Sequence, residues 1–134
     1  RMSIEKLNNF ILINDCYNAN PESMMSALNN LSDISGNNKI AVLADMRELG
    51  DNTIEIHKKI LSYALEKADV IFTYGDILFS LKNEMNSDKI DFFNDKNNLF
   101  EKLKTQLNNN NVILIKGSRG LKMEEVVKKV KENI

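Results

Sequence analysis

Three short polar stretches hold the residues that could do chemistry. The first is Asp15-Cys16-Tyr17-Asn18-Ala19-Asn20-Pro21. Asp15 can accept hydrogen bonds from a ribose or help hold a metal-bound water, or it can bond its own turn. Tyr17 can stack on a base or pack on a sheet edge. Asn18 and Asn20 offer amide donors and acceptors suited to an adenine edge or a ribose. Asn20 is also well placed to cap a helix starting at Pro21. The last stretch, Lys116-Gly117-Ser118-Arg119-Gly120, sets two cations and a hydroxyl around two glycines. Such a loop lets backbone N–H groups approach a carboxylate or phosphate. Between them, Asp45-Met46-Arg47-Glu48 brings two carboxylates into one turn, where capping or scaffolding is at least as good a reading as catalysis.

Other chemistry is excluded. No Gly-x-x-x-x-Gly-Lys-Ser/Thr loop occurs, so this chain alone is not expected to hydrolyse a nucleoside triphosphate. His57 is the single histidine, and with Cys16 it makes no familiar zinc spacing. It is expected to be half-buried and hydrogen-bonded to a neighbouring turn. Cys16 has no partner for an internal bridge, which suits a reducing cytoplasm.

Each polar stretch follows an apolar run. Phe10–Ile13, Lys39–Ala44, Val70–Tyr74, Ile90–Phe93 and Val112–Ile115 read as strands, with Ser3–Ile13 a hairpin turning at Asn8-Asn9. Helices are expected between them. The first, after Pro21, carries the stripe Met24, Ala27, Leu28 and Leu31. The second, Thr53–Ala68, should bury Ile54, Ile60, Leu61, Ala64, Leu65 and Ala68, with His57 in mid-face. A third spans about Ile77–Met85, and a fourth carries Leu99, Phe100, Leu103 and Leu107. The last should bury Met123, Val126, Val127, Val130 and Ile134; Met25 and Met85 are also read as core. Alternating strands and helices predict a Rossmann-like three-layer α/β/α sandwich, its sheet mainly parallel with one N-terminal antiparallel strand. In a parallel sheet the three polar turns fall on one edge, where ligands bind in open α/β folds.

At 134 residues the chain is expected to be one domain, and a net charge of −1 argues against a nucleic-acid partner. No apolar run is long enough to span a membrane. Most of the twenty asparagines read as loop filler. The abrupt start at Arg1, beside strand-like sequence, suggests a fragment of a larger protein.

The motifs together resemble those of the Mur ligase family, of the MurF type that adds D-alanyl-D-alanine. Asp15-Cys16-Tyr17-Asn18-Ala19-Asn20-Pro21-x-Ser23-Met24 is similar to that family's Asp-Ser-Tyr-Asn-Ala-Asn-Pro-x-Ser-Met, with Cys16 for Ser. Ala41-Val42-Leu43-Ala44-Asp45-Met46-Arg47-Glu48-Leu49-Gly50 is similar to its Ala-Val-Leu-Gly-Asp-Met-x-Glu-Leu-Gly, with Ala44 for Gly. His57 falls where the family carries a histidine, and Lys116–Gly120 with Met123-Glu124 matches its late motif. The resemblance covers the C-terminal domain only; the family's N-terminal UDP-sugar domain and central ATPase domain are not in this sequence.

What the resemblance implies is ATP-dependent amide formation in peptidoglycan synthesis, in the cytoplasm. The terminal carboxylate of UDP-N-acetylmuramoyl-tripeptide is phosphorylated, and the amine of D-alanyl-D-alanine attacks the acyl phosphate. ATP and Mg2+ would be held mainly by the central domain. Arg1 and Asp15 match the family's nucleotide-facing positions, with Tyr17, Asn18 and Asn20 beside them. Lys116, Ser118 and Arg119 would receive the dipeptide. No general base is assignable here. The fragment by itself is expected to be a folded, inactive monomer. Two readings compete: a stand-alone Rossmann-like binding domain without catalysis, and the C-terminal domain of a relative that adds a different amino acid.

Overall fold

The computed structural model describes residues 2–134. Its centre is a six-stranded sheet: β1 (Ser3–Leu7), β2 (Phe10–Asp15), β3 (Lys39–Ala44), β4 (Val70–Tyr74), β5 (Ile90–Phe93) and β6 (Asn111–Lys116), in the order β1-β2-β6-β3-β4-β5. The β1–β2 pair is antiparallel and all other pairs are parallel, as the sequence implies. The hairpin turns at Asn8, whose φ of 49° is left-handed, a region asparagine tolerates well.

Among the described residues five α-helices cover the sheet: α1 (Pro21–Asp33), α2 (Thr53–Lys67), α3 (Asp76–Phe79), α4 (Lys96–Leu103) and α5 (Glu124–Glu132). Successive strand residues point to opposite faces, so the core divides in two. Ile13, Ala41, Leu43, Ile71 and Leu114 pack against α1 and α2 through Met24, Leu28, Leu31, Ile60 and Leu61. Leu12, Ile40, Val42, Phe72, Ile113 and Ile115 pack against α4 and α5 through Leu99, Leu103, Val126 and Val130. Full burial of each of the larger ones, Ala41 aside, is worth about 1.5–3 kcal/mol.

Some expectations are corrected. The third helix stops at Phe79 and continues as turns to Met85. Past it the backbone bonds tighten to three-residue spacing, Leu81 N–H to Leu78 O and Lys82 N–H to Phe79 O, while Leu78 and Leu81 stay buried. Ile54, Met25 and Ile134 are exposed, at 37%, 41% and 53%. Ile54 lies in the first turn of α2 and Ile134 beyond the end of α5, where no neighbour covers them. His57 is not half-buried but 1% exposed.

Register fixes how the strand ends line up. Lys116 is level with Asp15 on β2 and with Leu43 on β3, and Ala44 is level with Tyr74 on β4. The polar turns therefore leave the sheet from one rim. The chain leaves β2 and β3 for the α1–α2 face but leaves β6 for the α5 face. Crevices flank β6 where these connections diverge, the usual place for a ligand in such sheets.

Candidate functional site

The first crevice lies between β2 and β6. Asp15 ends β2 and Lys116 ends β6, so their side chains meet: Lys116 Nζ donates to Asp15 Oδ2 at 2.9 Å and to the Asn18 carbonyl at 2.9 Å. The lysine side chain is 3% exposed and the aspartate 17%, so the pair sits at the floor of the rim with its carboxylate toward solvent. A cleft of about 600 Å³ opens above it, lined by Asp15, Tyr17, Asn18, Asn20, Glu22 and Lys116 among others.

The walls of this cleft are built by capping chemistry. Asn20 Oδ1 accepts from the Ser23 N–H at 2.8 Å, and Ser23 Oγ accepts from the Asn20 N–H at 3.1 Å. That reciprocal pair closes the start of α1. Asn18 Oδ1 accepts from the Ala19 N–H at 2.8 Å, which leaves its amide N–H groups to face outward. Tyr17 is 57% exposed, and the Arg119 guanidinium lies over its ring at 5.2 Å from the centroid. Cys16 turns inward, where its thiol reaches the Ile115 carbonyl at 3.5 Å. Burial, reinforced by Glu124, pushes that thiol from its ordinary 9.0 up to about 12, so it stays protonated.

The second crevice lies between β3 and β6. Asp45 is 3% exposed, and its carboxylate accepts the N–H groups of Ile77 and Leu78, both at 2.9 Å. Gly75, at φ 121°, makes room: a Cβ there would overlap the Asp45 carboxylate. Asp45 is thus the cap of α3, delivered from the neighbouring strand. Its carbonyl accepts from the Ser118 N–H at 3.1 Å, and Ser118 Oγ accepts from the Arg47 N–H at 2.9 Å. Gly117 lets the β6 loop lie this close, because a Cβ would strike Ala44. His57 completes the corner, with Nε2 accepting from the Met46 N–H at 3.0 Å and Nδ1 at 2.7 Å from the Thr53 carbonyl.

A second cleft of about 400 Å³ stands over this corner, lined by Arg47, Tyr74, Asp76, Asn94, Lys96 and Gly120 among others. Sequence reading did not single out Tyr74, Asp76, Asn94 or Lys96; the signal available was their place just after β4 and β5, on the same rim. Lys96 bonds Glu125 at 2.8 Å and sits over the Tyr74 ring at 5.2 Å. That ammonium holds the Glu125 carboxyl below its ordinary range. Glu48 is exposed with φ 62°, a left-handed conformation uncommon for its type.

The structure thus brings Asp15, Tyr17, Asn18, Asn20, Lys116, Ser118 and Arg119 to one rim. Their accessibility differs: Lys116 and Ser118 are buried and already bonded within the protein, whereas Tyr17, Asn18, Asn20 and Arg119 are exposed. The nucleotide-facing expectation for Arg1 lies outside the described residues. Among the described residues no group of three or more histidine, cysteine or acidic side chains could hold a metal ion, and no helix is long and apolar enough to cross a membrane.

Residues 1–119 match the family described as Mur ligase, glutamate ligase domain. The UDP-N-acetylmuramoyl-tripeptide–D-alanyl-D-alanine ligase of Bacillus subtilis is 35% identical over 128 residues, which is 91% of this chain and 28% of that protein. Among solved structures, MurF from Acinetobacter baumannii superposes with a TM-score of 0.84 at 28% identity, covering 97% of this chain and 29% of that one. MurF from Thermotoga maritima, solved in complex with ADP, gives 0.81 at 23% identity, covering 98% and 31%. The chain spans less than a third of the length of these relatives.

Proposed function

The chain belongs to the Mur ligase family, glutamate ligase domain, and from that membership we propose that it is the C-terminal domain of an ATP-dependent amide ligase joining D-alanyl-D-alanine to UDP-N-acetylmuramoyl-tripeptide. One observation carries the reading: the Asp15–Asn20 turn and the Lys116–Gly120 loop, far apart in sequence, are tied together by the Asp15–Lys116 ion pair and the Arg119–Tyr17 stack. A single surface then faces both a nucleotide and an incoming amine.

The residues suggest how the work is divided. The β2–β6 cleft offers amides, an exposed ring and a carboxylate already bonded to Lys116. These groups fit a ribose or base edge, and the cation lining the cleft, Lys116, is already paired with Asp15, so we assign the phosphates and Mg2+ mainly to the central domain of the complete protein. Arg119 supplies the accessible cation for the dipeptide carboxylate. Ser118, whose oxygen accepts from Arg47, keeps its own O–H free to donate to the dipeptide. Lys116 fixes the Asp15–Asn18 turn and presents any remaining N–H from below. Closing this domain over the central one would exclude water from the acyl phosphate before the amine attacks. The same reading makes the protein a cytoplasmic monomer.

The test is a steady-state assay of the complete protein with ATP and UDP-N-acetylmuramoyl-tripeptide, comparing D-alanyl-D-alanine with single amino acids. Phosphate release that depends on the dipeptide is expected. Release driven by a single amino acid would reassign the substrate, and no release with any amine would favour a binding domain without catalysis. The 134-residue chain alone should show no ATP turnover.

A further inference from the structure

We propose that His57 is a positioning residue for the amine-side site, acting through the Asp45–Arg47 turn on Ser118. This rests on the dipeptide assignment made above for Ser118 and Arg119. His57 is buried, and both of its ring nitrogens are engaged by backbone groups. Nδ1 lies 2.7 Å from the Thr53 carbonyl, a pure acceptor, so Nδ1 carries the hydrogen. Nε2 lies 3.0 Å from the Met46 nitrogen, a pure donor, so Nε2 carries a lone pair. The Thr53 hydroxyl, 3.3 Å from Nδ1, could serve either tautomer, but the Met46 N–H can only donate, so the partners select the neutral Nδ1–H form; the other would set two donors face to face at Met46.

From Met46 the constraint passes in both directions along the chain. Asp45 is held by Ile77 and Leu78 through its carboxylate and receives the Ser118 N–H on its carbonyl. Arg47, the next residue, donates its N–H to Ser118 Oγ. Arg47 thereby occupies one lone pair of Ser118 Oγ and leaves its O–H as the group's remaining donor. His57 touches no ligand in this account. It fixes the peptide units that hold Ser118, the residue assigned above to the dipeptide.

The experiment is a double-mutant cycle in the complete protein with His57→Phe and Ser118→Ala, reading KM for D-alanyl-D-alanine, KM for ATP and kcat. Each single variant is expected to raise the dipeptide KM about tenfold, the worth of one hydrogen bond to a charged group. Neither should move the ATP KM. The double variant should resemble the worse single one, because both remove the same contact. His57→Gln, whose amide can still accept from Met46, should recover most of the loss. Additive effects, or equal losses in His57→Gln and His57→Phe, would reduce His57 to core filling and overturn the proposal. If Ser118→Ala changes no constant, the dipeptide assignment fails first, and this inference with it. Should His57→Phe not fold, 15N NMR of the wild-type 134-residue chain still decides the premise. The Nδ1–H tautomer is expected, and an Nε2–H tautomer would refute it.

Discussion

Asp15 and Asp45 each stand at the carboxyl end of a central strand, one turn before a helix, and they have been put to different uses. Asp45 is 3% exposed at the floor of the second cleft, and both of its bonded partners are backbone N–H groups of a neighbouring helix. Asp15 keeps 17% of its side chain open, is bonded by a single lysine, and faces a cleft of about 600 Å³. A carboxylate whose acceptor sites are taken by backbone holds a fold together. One bonded at a single oxygen retains acceptor capacity for a ligand. The lesson is that the partners of an acidic residue after a strand, more than its position, decide between scaffold and site.

The comparison breaks most readily at Asp45. Asp45→Ala leaves the buried Leu78 N–H and the half-buried Ile77 N–H without their acceptor and should destabilise the chain by about 3 kcal/mol. Urea unfolding followed by circular dichroism would measure it, and a loss under 1 kcal/mol would deny Asp45 its scaffold role. Lys116→Met is expected to cost about 2 kcal/mol, less than a fully buried pair, because Asp15 can turn to water through its open side. Its unfolding midpoint should therefore fall between those of the wild type and Asp45→Ala.

Cys16, next to Asp15, gives a pH-dependent check. Its folded pKa of about 12 lies above the ordinary 9.0, so above pH 9 the unfolded chain releases a proton that the folded chain keeps. Stability should therefore be unaffected by this thiol below pH 9 and should fall as pH rises from there toward 12, by at most about 1.4 kcal/mol per unit. Comparing wild type with Cys16→Ser between pH 8 and 10.5 isolates the contribution. A difference that does not change with pH would show that the thiol is not shielded. At pH 8 the same thiol should resist alkylation until the chain is unfolded.

Much of this fold is legible in the sequence. The strands were readable because apolar runs such as Val112–Ile115 have no exposed face to break them, and α1 because Asn20-Pro21 announces it. The shared rim followed from parallel topology. What sequence could not supply was pairing across the sheet. That Lys116 is matched by Asp15, and Asp45 by the start of α3, depends on register between β2, β6, β3 and β4. His57 read as half-buried because a lone histidine on an apolar face gives no hint that two backbone groups await its nitrogens. The cleft around Tyr74, Asp76 and Lys96 was missed because its residues come from separate turns that share no motif.

The claim that this rim receives the incoming amine is tested most directly by Arg119→Ala in the complete protein, with KM measured for the dipeptide and for ATP. Arg119 is exposed and contacts Tyr17 across the two turns, so its loss should leave stability within about 0.5 kcal/mol. The dipeptide KM should rise about tenfold while the ATP KM stays within about twofold. Unchanged constants for both substrates would contradict the account, because the one accessible cation assigned to the incoming carboxylate would then have no part in binding it.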